Sequence, residues 1–97
     1  MALAQPAKFG EAWSDERIAA WLNLQPAAGE NPDFHVLWRA YQGMRAYDFE
    51  RFTQLFLEQG RDINAPGLGG ESLTTILSRH RCSVDFLHIL IDAGGRA

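Results

Sequence analysis

"LFLEQGRDINAPGLGGESL", residues 55–73, joins two apolar runs through Gly60, Pro66, Gly67, Gly69 and Gly70. A bend of this composition has two physical uses. It can grip a phosphate with free backbone N–H groups, or it can reverse the chain between the helices of a repeat. A Walker-type loop needs G-x-x-x-x-G-K-[ST], the lysine reaching the phosphates. Here Gly70 is followed by Glu71-Ser72, and the place of the first glycine is taken by Ala65, so a carboxylate stands where the cation belongs. The dinucleotide pattern G-x-G-x-x-G also fails, because Gly67 and Gly69 lead to Ser72. As an elbow, each residue has a reason. Gly60 suits the positive φ that ends a helix, Asp62 and Asn64 tie down turns, and Pro66 with the later glycines lets the chain reverse.

Working outward, both flanks read as helix. Phe49, Phe52, Leu55 and Phe56 lie on one face of a helix that Asp48 is expected to cap. Before it, Asn31 caps and Pro32 opens a helix whose stripe is Phe34, Leu37, Trp38, Tyr41 and Met44. Gly43 lowers propensity inside that helix, which points to a close packing contact there. Ser14, with Asp15 and Glu16 behind it, starts a first helix running to about Leu24, where Pro26 stops it. Beyond the elbow, Leu73, Ile76 and Leu77 mark a short fourth helix. Ser83 caps a fifth, VDFLHILIDA, ended by Gly94. The expected architecture is all-α with about five helices. Residues 1–13 form a flexible lead-in, 14–31 a capping helix and link, and 32–97 two helix pairs of one domain.

The pairs repeat. Leu55 to Gly60 matches Ile89 to Gly94 at an offset of 34, as Phe52 matches Phe86, whereas Leu37 and Tyr41 match Leu73 and Leu77 at 36. Helix pairs at such a period suggest a solenoid. On these residues the chain resembles the ankyrin-repeat family: LFLEQGRDINA is similar to the second helix and turn of that repeat, usually close to LLLEAGADVNA. Gly60, Asp62, Ile63 and Asn64 match its turn, Gly70 and Ser72 its start, and Gly94 a second terminal glycine. The usual Thr-Pro-Leu-His is Ser72-Leu73-Thr74-Thr75 here, so the histidine is lost. The resemblance implies a helical stack that binds proteins through its finger loop and inner helices. The contact positions it implies are Arg61, Asp62, Pro66, Leu68, Glu71, Thr74, Thr75 and Arg79.

Charge and composition limit the other classes. The net charge is −3, with Lys8 and eight arginines scattered, and Arg79-His80-Arg81 as the one basic cluster. That argues against a nucleic-acid binder. No run is apolar enough for a membrane span, and the start is unlike a signal peptide. Cys82 is the sole cysteine, which suits a reducing cytoplasm. Arginine-rich, lysine-poor composition with abundant Ala, Gly and Leu associates with a bacterial source.

Chemistry-bearing clusters are sparse. His80, Cys82, Asp85 and His88 are the densest potential metal ligands, but H-x-C-x5-H has no paired C-x-x-C or H-x3-H. A Cys82–histidine nucleophile lacks an orienting partner, and Ser72, Ser78 and Ser83 sit in no G-x-S-x-G. No catalytic, cofactor or metal residue is assigned. The stripe from Phe34 to Met44 is read as core, with a ligand groove as the alternative. Trp13 and Trp21 are expected to cover the open end of the stack. The fifth helix is apolar around much of its circumference, so either the first helix covers it or Leu87, Leu90 and Ile91 meet another molecule, for instance in a homodimer. The favoured function is a non-catalytic protein-interaction module. The alternatives are a structural subunit and a small metal-binding or Cys-dependent enzyme.

Overall fold

The computed structural model describes residues 13–80 and 83–97. Of the expected lead-in (residues 1–13) all but Trp13 lies outside the described residues, as do Arg81 and Cys82. The described residues form five α-helices and no β-strand: α1 Asp15–Ala20, α2 Pro32–Gly43, α3 Ala46–Glu58, α4 Leu73–Leu77 and α5 Val84–Asp92. A 3-10 turn, Trp21–Asn23, continues α1. No helix among the described residues is long and apolar enough to cross a membrane.

Two starts follow the expected caps, Ser14 and Asn31, and Ser72, not expected as a cap, supplies a third. The Ser14 side chain accepts from the Arg17 N–H, Asn31 from those of Asp33 and Phe34, and Ser72 from that of Thr75. Each satisfies donors that the first helical turn leaves without partners. α3 departs from expectation, for it begins at Ala46 and Asp48 lies inside its first turn. The Asp48 side chain is fully buried, because its carboxylate accepts from the Trp13 N–H (3.2 Å) and pairs with Arg45 and Arg51. Arg51 also donates to the Trp13 carbonyl (2.6 Å) and pairs with Asp15. Trp13 therefore belongs to the folded domain, gripped through both backbone polar groups. Ser83 likewise makes no cap bond; its hydroxyl lies 2.6 Å from that of Tyr41.

The two long endings match. Past α3, Gly60 (φ 74°) donates to the Leu57 carbonyl and Arg61 to that of Phe56. Past α5, Gly94 (φ 103°) donates to Ile91 and Gly95 to Leu90. This pair of bonds closes a helix through a left-handed residue, which glycine adopts without a Cβ penalty. The two segments that match at an offset of 34 thus end in the same hydrogen-bond pattern.

α3 packs on both α2 and α5, α4 packs on both α2 and α5, and α1 packs on α3. The alternative in which the first helix covers α5 is not what forms: the 3-10 turn after α1 lies on α2 instead. Trp21 explains that seat. An ideal Cβ on Gly43 would stand 2.3 Å from Trp21 Cη2, so only glycine admits the indole. Trp13 lies 5.7 Å from Trp21, ring to ring.

The core is a continuous aromatic run. From Phe34 through Trp38, Tyr41, Phe86, Phe49 and Phe52 to Phe56, successive rings lie 5.1 to 6.3 Å apart. Phe49, Phe52 and Phe56 are fully buried, each contributing about 2–3 kcal/mol of apolar burial. Tyr41 and Phe86 carry the run from α2 to α5, and α4 packs on both of these helices.

Candidate functional site

The elbow between α3 and α4 is a finger built on its own backbone. Asp62 accepts from Asn64 N–H through its carboxylate and from Ala65 N–H through its carbonyl. Farther out, Gly67 donates to the Glu71 carbonyl (2.8 Å) and Gly70 to that of Gly67 (2.9 Å). Pro66 and Ser72 pair at the base as an antiparallel bridge. The glycine N–H groups at 67 and 70 are therefore occupied by the finger itself. A phosphate cradle presents such groups outward. Leu68 sits at the tip, 77% exposed.

Beneath the tip runs a groove of about 290 Å³, with Phe34 and Trp38 from α2, Ile76 from α4, and Gly67, Leu68 and Gly69 from the finger. Its walls are mostly apolar, and the Phe34 and Trp38 rings lie near-parallel with centroids 6.2 Å apart. The finger lies flat on Phe34: an ideal Cβ at position 67 would stand 2.7 Å from that ring. Two carboxylates mark the rim. Glu71 pairs with Arg79 at 2.5 Å, and Glu30 accepts from His35 Nδ1 at 2.8 Å and from the Ala27 N–H. The polar rim around an apolar floor fixes where a ligand could place an apolar anchor.

Of the eight contact positions expected from sequence, Leu68 and Glu71 line this groove, Arg79 holds Glu71, and Pro66 is exposed on the finger. Asp62 is exposed but uses its carboxylate on Asn64. Arg61 is an internal clamp, its guanidinium donating to Asp33 (3.1 Å) and to the Leu22 carbonyl (2.9 Å). Thr75 is half-buried and shares a hydrogen bond with Ser72. Thr74 corrects the expectation: it is fully buried, because the α4 face that carries it packs inward with Leu73 and Leu77. The expected contacts on α5 need the same correction at Leu90, which is fully buried beneath α3 and α4, whereas Leu87 is half-buried and Ile91 is 49% exposed. His80, Asp85 and His88 are exposed.

Glu30 and Ile76 are groove residues that the sequence did not single out as contacts. Glu30 precedes the α2 cap with no periodic signal, and Ile76 reads as ordinary core. Phe34 and Trp38 belong to the stripe whose alternative reading was a groove. They serve both ends, with inner edges in the aromatic run and outer edges on the groove.

No protein-family model matches the chain, and no curated protein and no solved structure is significantly similar to it.

Proposed function

We propose that the chain is a non-catalytic protein–protein interaction module made of two ankyrin-like helix pairs, with α1 as an added cap. Its partner is a protein, its setting the cytoplasm, and its source bacterial. The matched endings at Gly60 and Gly94, 34 residues apart, support the repeat reading, as does the finger between α3 and α4.

One observation carries the binding reading: Leu68, 77% exposed, stands at the tip of an internally hydrogen-bonded finger over an apolar groove. Leu68 extends the apolar surface of the groove outward, and covering it in a complex contributes up to about 2 kcal/mol. The groove beside it, floored by Phe34, Trp38 and Ile76, receives an apolar anchor from the partner, and Glu30 and Glu71 set the polar rim. The finger's internal hydrogen bonds limit the loop entropy lost on binding.

Affinity capture from the native host, wild type against Leu68→Asp, tests this reading. A protein recovered in stoichiometric amount by the wild type and lost with the variant supports it. Recovery of the same proteins by both removes the finger from the function.

A further inference from the structure

The outer faces of α3 and α5 carry a second groove, on elements other than those that form the finger site. It is a shallow cavity of about 150 Å³, walled by Glu50, Thr53 and Leu57 on α3, by Ile89 and Asp92 on α5, and by Ala93 just past its end. Glu50 and Glu58 lie two turns apart along α3, and Asp85, Ile89 and Asp92 share a face of α5 at spacings of four and three. All four carboxylates are exposed, and no salt bridge engages any of them among the described residues. The finger groove differs on this point, for both of its rim carboxylates already hold partners. The other titratable group on this face of α5 is His88, which is exposed.

We infer that this outer groove docks a basic amphipathic segment of a protein partner. An arginine or lysine lays its methylene stem over Leu57 and Ile89 and presents its cationic head to Glu50 and Asp92. Long cationic side chains cover apolar surface in this way while the head stays hydrated. The negative field of the four carboxylates also speeds encounter with a basic segment. A second copy of this chain fits worse, since two-fold packing of this face on itself sets the same carboxylates against their own images.

The test titrates the full chain with a 14-residue helical peptide of Leu, Ala and Arg, and with the same peptide carrying Gln for Arg. The Arg peptide binds, salt weakens it, and the Gln peptide does not bind. E50Q/D92N weakens binding about tenfold, as expected for two rim ion pairs. E16Q, charge-matched to E50Q alone, leaves affinity within twofold, and Leu68→Asp does the same, so this result is separable from the finger groove. Equal weakening by E16Q and E50Q reduces the effect to diffuse attraction and overturns the inference. Unchanged affinity in E50Q/D92N overturns it too, as does a wild-type dimer that Ile91→Asp disperses. Far-UV circular dichroism of each variant establishes that the fold is intact.

Discussion

The Phe34 ring occupies the space in which any side chain at position 67 would begin, with Cζ 2.7 Å from an ideal Gly67 Cβ. That approach seats the finger on α2 and forms one wall of the groove. Gly67→Ala therefore pushes the ring or lifts the finger, and is expected to cost about 1–3 kcal/mol. Gly69 has open space around it and no positive φ, so Gly69→Ala stays within about 0.5 kcal/mol. Urea unfolding of the two variants compares them directly.

Gly43 sets two effects against each other. Alanine at a helical glycine ordinarily gains about 1 kcal/mol. Here the new Cβ would overlap the Trp21 indole at 2.3 Å and displace the turn after α1. Displacement outweighs propensity, because the indole is wedged against the helix rather than free in solvent. Gly43→Ala should lower stability and alter near-ultraviolet tryptophan dichroism; a more stable protein with an unchanged spectrum would contradict this packing.

Thr74 is fully buried and its hydroxyl has no hydrogen-bond partner among the described residues. An unpartnered buried hydroxyl costs about 1–3 kcal/mol in desolvation. Thr74→Val keeps the shape and removes that cost, so the melting temperature rises, the gain being about 1 kcal/mol.

Asn64 joins the two helix endings. Its Nδ2 donates to the Gly94 carbonyl (3.2 Å) and its Oδ1 accepts from the Arg96 N–H (2.8 Å). Asn64→Ala loses both bonds, costing about 1–2 kcal/mol. Asn64→Asp keeps the acceptor but turns a second carboxylate oxygen on the Gly94 carbonyl, so it recovers little of that loss. Hydrogen exchange at Arg96 reports both: the amide is protected in the wild type and exposed in Asn64→Ala.

Helices announced themselves in the sequence wherever caps and period agreed, as at Ser14, Asn31-Pro32 and Gly60. Asp48 misled because a capping carboxylate and a buried one look the same until Trp13, 35 positions away, is known to need an acceptor. Thr74 and Leu90 misled for a related reason: a short or broadly apolar helix does not declare which face turns inward. Within the groove, Leu68 and Glu71 were legible from the finger. Glu30 and Ile76 were not, since only the tertiary packing of α2 against α4 brings them to one place.

The most direct test of the finger-groove account is amide chemical-shift mapping on the labelled chain, titrated with the protein that affinity capture recovers. The account predicts that shifts concentrate at Glu30, Phe34, Trp38, Gly67 to Glu71 and Ile76, and that Leu68→Asp abolishes them. A footprint on α1, or one elsewhere that leaves the finger unmoved, would contradict it.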